Sequence, residues 1–240
     1  MQKDSDPTDD DRDPNGENYT LTHGRILHGY QYREKDKRNW PTTYYGYGSG
    51  VGLAIRFHPK STTPTGQLKP LRIGVVGLGT GTIAAYGREG DYLRFYEINP
   101  EVVRLSGPQG EYFTYFQDTP AKKEVVLGDA RVQMEGELAR GEPQKFDVLA
   151  VDAFSSDSIP MHLITLEAFE LYKQHLAEGG ILAMHVSNRY MELSSVVRGT
   201  AKELGMEALR IESPDDDSQG ASAATWVLVT NNKAFINSPA

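Results

Sequence analysis

The chain has 240 residues, 38% of them hydrophobic, and no cysteine. This length suits one large domain with a small appendage, and the lack of cysteine excludes disulfides and thiolate metal sites. The net charge of −8 is concentrated in residues 1–17, where seven acidic and two basic side chains give −5. Because the rest is only weakly acidic, no basic field exists that could track nucleic-acid phosphates.

Composition divides the chain into five segments. We expect residues 1–17 to be a disordered acidic leader, since they lack the apolar stretch of a signal peptide. Residues 18–60 are predicted to hold a β-hairpin and a gate segment, and 61–70 a linker. The main α/β domain is predicted at 71–232 and a tail at 233–240. No stretch approaches the roughly 18 apolar residues of a membrane span.

The segment before the linker predicts a hairpin followed by a loop and a short helix. Residues 18–33 alternate in polarity, which is typical of two short antiparallel strands. A polar loop at 34–46 ends on the paired tyrosines Tyr44 and Tyr45 and leads to a short helix at 50–58.

From residue 71 onward, strands and helices alternate. Seven strands are predicted, at residues 71–77, 92–97, 123–127, 146–152, 180–186, 206–212 and 224–230. Five helices are predicted, at residues 81–88, 100–106, 130–139, 165–177 and 190–204, the fourth capped by Thr165 and ended by Gly179-Gly180. Such alternation indicates a sheet covered on both faces, which binds ligands at the carboxyl ends of its strands.

The first strand of this domain runs into a glycine-rich turn that predicts a nucleoside-bearing ligand. Gly77, Gly79 and Gly81 let backbone N–H groups approach a ligand closely. Glu97 ends the second strand about 20 residues on, where an acidic side chain accepts hydrogen bonds from ribose hydroxyls. The spacing Gly79-x-Gly81-x-x-Ala84 also fits a dinucleotide, whereas Gly77-x-Gly79-x-Gly81 is similar to the turn of S-adenosylmethionine enzymes.

Gly128-Asp129 follows the third strand and favours the second of these cofactors. At this point of the fold an aspartate faces the edge of the adenine ring. The alternative is that Asp129 only turns the chain and caps the helix that begins at Ala130.

Two carboxylates follow the fourth strand, Asp152 at its end and Asp157 on the loop. An amine is protonated near neutral pH and cannot attack carbon until it loses a proton. A carboxylate in a dry pocket can orient the ammonium, accept its proton and offset charge near a sulfonium. We predict this role for Asp152 and a second cation-binding role for Asp157. The alternative is that both only bond to the local backbone.

The histidines give no metal signature. His23 and His28 lie on the predicted hairpin and are interpreted as structural. For His185, at the end of the fifth strand, a pocket-lining role and a buried, hydrogen-bonded role are equally good interpretations.

These motifs together resemble the spermidine synthase (polyamine aminopropyltransferase) family, and particularly its domains fused to membrane transporter-like segments. The resemblance extends from about Tyr19 to Thr230. It is carried by LTHGRILHGYQYR with PTTYYGYGSGVGLA, by VVGLGTGT with Glu97, by GDAR, and by FDVLAVDAFSSDSIPMHLITLEAF with HVSNRY. The implied fold is α/β, the Rossmann-like class I S-adenosylmethionine-dependent methyltransferase fold, with a small N-terminal β-hairpin appendage.

The resemblance also implies roles for individual residues. Catalysis would fall to Asp152 with Tyr45 and Tyr44, and binding of the amine to Asp157 and Tyr190, without a metal. Eight residues would contact the cofactor: Gln31, Gly77, Gly79, Thr80, Gly81, Glu97, Asp129 and Ala130.

Three positions depart from the family pattern. Thr80 stands where the family's glycine turn has an aspartate that binds the aminopropyl ammonium, and Asn39–Thr43 replaces an Asp-Glu pair before the tyrosine. The aspartate loop is also two residues longer. Because a hydroxyl cannot supply the same charge-assisted bond, selection for decarboxylated S-adenosylmethionine over the carboxylated form is weakened.

The predicted reaction moves an aminopropyl group from decarboxylated S-adenosylmethionine to a diamine such as putrescine and releases methylthioadenosine. Three alternatives share the fold: methyl transfer from S-adenosylmethionine, lyase or cyclase cleavage of that cofactor, and a non-catalytic nucleoside-sensing domain. The expected partner is a small-molecule amine and not a nucleic acid, with a covalently attached membrane domain and a homodimer left open. The expected location is the cytoplasm, free or as the soluble domain of a membrane-anchored protein.

Overall fold

The structure is a computed structural model that describes residues 17–23, 26–62, 66–153, 159–187 and 192–238. The predicted site residues Asp157 and Tyr190 lie outside these ranges, as do residues 1–16 of the acidic leader. Within the described ranges, none of the helices has the length and apolarity needed to cross a bilayer.

Two sheets contain the strands of the described chain. An antiparallel hairpin pairs β1 (Asn18–His23) with β2 (Ile26–Tyr32). The main sheet has the order β5-β4-β3-β6-β7-β9-β8 and is parallel except for the pairs that β9 makes. Its strands are β3 (Arg72–Val76), β4 (Tyr92–Glu97), β5 (Lys122–Leu127), β6 (Phe146–Val151), β7 (Leu176–His185), β8 (Glu207–Ser213) and β9 (Ala224–Thr230).

Helices connect these strands and cover both faces of the sheet. They are α1 (Gly50–Arg56), α2 (Pro100–Ser106), α3 (Tyr115–Asp118), α4 (Ala130–Ala139), α5 (Leu166–His175), α6 (Leu193–Glu203) and α7 (Lys233–Ile236), with 3₁₀ turns at Thr82–Tyr86 and Met161–Leu163. The two faces bury separate cores. One contains residues of α1 and the glycine-turn segment, and the other contains residues of α4, α5 and α6. The predicted α/β architecture with an appended hairpin is confirmed.

Two of the predicted helices differ from the structure. The helix predicted at 81–88 is a single 3₁₀ segment, Thr82–Tyr86. The helix that Thr165 caps ends at His175, and Gly179 and Gly180 lie inside β7. At Gly180 an added Cβ would lie 2.7 Å from the Phe146 carbonyl oxygen. These glycines therefore permit a close strand contact, where the β6–β7 register shifts, instead of ending a helix.

Candidate active site

A cavity of about 620 Å³ opens at the carboxyl edge of the main sheet. Its lining comes from the hairpin, the paired tyrosines, the glycine turn, and the segments that follow β4, β5, β6 and β7. The volume lies in the range of small-molecule sites, and the position is the one at which parallel α/β sheets bind ligands.

The glycine turn and Glu97 form one hydrogen-bonded unit. Gly77 has φ +97°, and a Cβ there would lie 2.4 Å from the Asp152 carbonyl oxygen, so only glycine fits between β3 and β6. The Glu97 carboxylate accepts the Leu78 amide at 2.8 Å and the Asn99 amide at 2.8 Å. Each carboxylate oxygen has a second lone pair, so Glu97 can still accept hydrogen bonds from a diol in the cavity.

Asp152 follows β6 directly and is held by two side chains. The Tyr45 hydroxyl donates to its Oδ2, and His185 Nδ1 lies 2.7 Å from its Oδ1. The Asp152 side chain is only 7% exposed. The structure thus brings the predicted base and one predicted tyrosine into direct contact at the edge of the cavity.

The two tyrosines are fixed through their backbone and their rings. Trp226 Nε1 donates to the Tyr44 carbonyl at 3.1 Å, and the Tyr86 hydroxyl donates to the Tyr45 carbonyl at 2.5 Å. The Tyr44 hydroxyl donates to the Leu27 carbonyl at 3.0 Å. Burial, followed by the charge of Asp152, raises the pKa of both phenols well above the usual value. Both therefore stay protonated donors at neutral pH.

His185 combines the two interpretations that the sequence left open, because it lines the cavity and is buried with hydrogen-bond partners. Its ring stacks on Tyr44 with centroids 4.7 Å apart and on Trp226 at 4.8 Å. Its Nε2 lies 2.9 Å from Ser187 Oγ. Sequence reasoning did not connect His185 to Asp152 or identify Ser187, because their contact depends on the alignment of β6 with β7.

At the other end of the cavity, Asp129 has the capping role and also lines the site. Its Oδ1 accepts the Val132 amide at 3.1 Å, and its Oδ2 lies 2.9 Å from His162 Nε2. Partial burial pushes its pKa up, but the bonds from Val132 and His162 outweigh burial and hold the pKa below its usual value. Ala130 also lines the cavity. The sequence gave no signal for His162, because its contact joins it to a residue 33 positions earlier in the chain.

Three of the predicted cofactor contacts concern residues that are not among those lining the cavity. The Gln31 amide nitrogen donates to the Arg38 carbonyl at 2.9 Å, and its oxygen accepts the Thr114 amide at 2.8 Å. This side chain therefore ties the hairpin to the α3 segment and does not line the cavity. The Thr80 hydroxyl is buried 2.7 Å from the Thr82 hydroxyl, and Gly81 lies against Tyr115. Gln31, Thr80 and Gly81 thus lie outside the cavity lining, and their contacts with a cofactor stay predictions.

The charge of the lining favours a cationic ligand. Among the described residues it includes four carboxylates, Glu97, Glu101, Asp129 and Asp152, and no lysine or arginine. Clefts lined by one sign of charge concentrate ligands of the opposite sign.

Comparisons with known proteins give two curated relatives and many solved structures of similar fold. No protein-family model matches the sequence. The chain is 30% identical over 168 residues to the polyamine aminopropyltransferase of Vibrio vulnificus, an overlap that covers 68% of this chain and 50% of that protein. This chain therefore spans about half the length of that relative.

The solved structures establish the fold class. A probable spermidine synthase from Corynebacterium glutamicum superimposes with a TM-score of 0.62 and 18% identity, over 89% of this chain and 72% of that one. Human methyltransferase-like protein 13, solved in complex with SAH, gives 0.55 and 19% identity, over 75% and 78%. The fold is thus the Rossmann-like class I methyltransferase fold, as predicted.

Proposed function

We propose that this chain, which belongs to the spermidine synthase (polyamine aminopropyltransferase) family, moves an aminopropyl group from decarboxylated S-adenosylmethionine to a diamine such as putrescine and releases methylthioadenosine. One observation carries the proposal. A buried aspartate, held by a tyrosine and a histidine, faces an anionic cavity at the carboxyl edge of the sheet. The Vibrio vulnificus relative, which is named polyamine aminopropyltransferase, supports the same reaction.

The cavity offers separate places for the parts of the donor. Glu97 would accept the ribose hydroxyls, because its carboxylate is fixed by the Leu78 and Asn99 amides. Asp129 and Ala130, at the other end of the lining, would meet the adenine. The sulfonium would then lie between the glycine turn and Asp152.

The reaction needs a base and an oriented amine. Asp152 takes a proton from the acceptor ammonium, and the freed nitrogen lone pair forms a bond to the carbon next to sulfur. The carbon–sulfur bond breaks, and its electron pair stays on sulfur as a neutral thioether. A positioned base contributes about 10²–10⁴-fold to such a rate, and orientation of the two reactants contributes further.

The choice of donor follows from charge. The carboxylate of S-adenosylmethionine itself would need a cation or several N–H donors, and the described lining contains no lysine or arginine. The decarboxylated donor carries only positive charge and suits the four carboxylates. The homodimer and the attached membrane domain remain proposals for the full-length protein.

A second candidate is cleavage of the donor without an acceptor amine. The Thr80 hydroxyl is bonded to Thr82 and buried, so it does not bind the tail of the donor. If no anionic side chain binds the tail of the donor, the tail can fold back so that one of its own groups reaches the carbon next to sulfur. Lyase or cyclase chemistry needs this geometry.

Product analysis distinguishes these reactions. The protein is incubated with S-adenosylmethionine or its decarboxylated form, with and without putrescine, and the products are identified by mass spectrometry. We expect methylthioadenosine only from the decarboxylated donor with amine. Methylthioadenosine from the carboxylated donor alone would indicate lyase or cyclase chemistry, and S-adenosylhomocysteine would indicate methyl transfer. Binding without turnover would leave a nucleoside sensor.

A further inference from the structure

We propose that His185 is a positioning residue that orients the Asp152 carboxylate, and that Ser187 and the Thr225 amide hold its ring in one tautomer. This inference rests on the proposed function, because it concerns the base of the proposed reaction. It gives His185, which holds Asp152, a defined tautomer, and it adds Ser187 to the residues that support the base.

The hydrogen bonds that join His185 to Asp152 and to Ser187 run in one direction. The Thr225 amide donates to Ser187 Oγ at 2.8 Å, and Ser187 Oγ lies 2.9 Å from His185 Nε2. A carboxylate only accepts, so His185 Nδ1 carries a hydrogen and donates it to Asp152 Oδ1, 2.7 Å away. In neutral imidazole the other nitrogen, Nε2, then has no hydrogen and accepts the one of Ser187. The Thr225 amide occupies a lone pair of Ser187 Oγ and leaves the serine hydrogen for this bond.

Stacking fixes the plane of the same ring. The His185 imidazole lies between Tyr44 and Trp226, with interplanar angles of 22° and 23°. The His185 side chain is 5% exposed. The two stacks restrict tilting and the hydrogen bonds restrict rotation, so the Nδ1–H group points to one place.

The consequence for Asp152 is a carboxylate with a fixed plane. Tyr45 donates to Oδ2 and His185 donates to Oδ1, so rotation about the Cβ–Cγ bond would break both bonds. Each oxygen keeps a lone pair for the acceptor amine. Because Nδ1 already carries a hydrogen, His185 does not take the proton that Asp152 receives; it determines where Asp152 receives it. A misplacement of 1 Å can cost about 10²-fold in rate.

A second buried histidine provides an internal control. His175 Nδ1 accepts the Gln144 amide at 3.2 Å, and its Nε2 lies 3.0 Å from the Met134 carbonyl oxygen. A carbonyl only accepts, so His175 carries its hydrogen on Nε2. The two histidines are thus expected in opposite tautomers, which long-range ¹H–¹⁵N spectra of the histidine-labelled protein distinguish.

Two variants separate the hydrogen bond from the stacking. In His185→Phe the ring stays between Tyr44 and Trp226, but the bond to Asp152 is lost. In His185→Asn the side-chain amide replaces Nδ1–H, while the stacking is lost. We expect kcat of the phenylalanine variant to be about 10²-fold below that of the unaltered protein. The asparagine variant should have a kcat at least about tenfold above that of the phenylalanine variant. In both variants the KM for the donor and the affinity for methylthioadenosine should stay within about twofold of the unaltered values. The reason is that the bonds of His185 to Asp152 and Ser187 do not contact the nucleoside.

The tautomer itself is tested by Ser187→Ala. Removal of the hydroxyl should convert part of His185 to the Nε2–H form and lower kcat, while the His175 signals stay unchanged. An Nε2–H tautomer in the unaltered protein would overturn the proposal. So would a phenylalanine variant with full kcat, an asparagine variant no better than phenylalanine, or losses of kcat that only follow losses of folded protein.

The spectra also separate this proposal from the proposed function. If the unaltered protein makes no methylthioadenosine from any donor, aminopropyl transfer fails. The tautomer of His185 then still decides whether Asp152 is oriented as described. If His185→Phe does not fold, His185→Asn and Ser187→Ala carry the kinetic test.

Discussion

The two ends of the main sheet both bury carboxylates, but they satisfy them in different ways. At the amino end, Asp147 is 2% exposed and binds Lys60 at 2.8 Å and the Arg72 amide at 2.9 Å. Asp91 is 1% exposed and binds Arg88 at 2.9 Å. Each of these carboxylates is paired with a cation, which is how proteins retain buried charge for structure.

At the carboxyl end, the partners are neutral. Glu97 accepts two backbone amides, and Asp152 accepts from Tyr45 and from His185. In the described part of the chain, neither carboxylate contacts a lysine or an arginine. Neutral donors fix the geometry of a carboxylate without cancelling its charge. The charge that remains at this end is available to a cationic substrate, whereas the charge at the amino end is already balanced.

The largest effect is expected from Asp152→Asn. An amide keeps the shape of the side chain but cannot take the proton of the amine. We expect turnover to fall about 10²–10⁴-fold while methylthioadenosine still binds and the unfolding transition stays in place. Methylthioadenosine release and calorimetric binding measure the two parts. Unchanged turnover would remove Asp152 from the mechanism.

Glu97→Gln should weaken nucleoside binding. The amide nitrogen of glutamine would meet the Leu78 or Asn99 N–H, which also need acceptors. Hydrogen bonds to charged groups contribute about 1.5–3 kcal/mol, so the affinity for methylthioadenosine should fall about 10- to 100-fold. Glu101→Gln is the matched control, because Glu101 also lines the cavity but its side chain is 66% exposed. Equal losses in both variants would show a loss of overall charge instead of a specific contact.

Asp147→Asn makes the same chemical change as Asp152→Asn, but at the opposite end of β6. The amide cannot balance Lys60, and it presents a donor where the Arg72 N–H needs an acceptor. We expect the free energy of unfolding to fall by about 1–3 kcal/mol, with full turnover per folded molecule. Urea unfolding and methylthioadenosine release give the two values. A stable but inactive Asp147→Asn protein would break the comparison between the two ends.

The sequence predicted the parts of the site that follow from local pattern. All seven strands of the main domain are present, because apolar runs and glycine turns determine them locally. Asp152 could be predicted because it directly follows a strand, and Glu97 because it ends one. The joining of Asp152 to His185 could not be predicted, because it depends on how β7 aligns with β6 and β9.

Two differences between expectation and structure share a physical origin. The resemblance places Gln31 in the nucleoside site, whereas in the structure its amide bonds to Arg38 in the loop and to Thr114 beside α3. The Gly179-Gly180 pair is a good helix stop in isolation, yet tertiary pairing with β6 includes it in a strand. In both cases a distant partner decides what the local pattern leaves open.

The smallest effect is expected in the pH dependence of stability, through His175 at the amino end of the sheet. Burial is the main cause that lowers the pKa of His175 below its usual value. The unfolded chain, with a histidine pKa of about 6.5, therefore binds a proton before the folded protein does. The folded protein is therefore more stable above the pKa of the unfolded histidine. This stability is lost as the pH falls from that pKa toward the lower pKa of folded His175, by at most about 1.4 kcal/mol per pH unit for one proton. In His175→Gln we expect a smaller loss of unfolding free energy between pH 7.5 and 5.5, measured by urea denaturation. If the unaltered protein and His175→Gln lose the same unfolding free energy, the acid sensitivity belongs to other groups. If both bind methylthioadenosine equally at pH 7.5, the change at the amino end leaves the cavity intact.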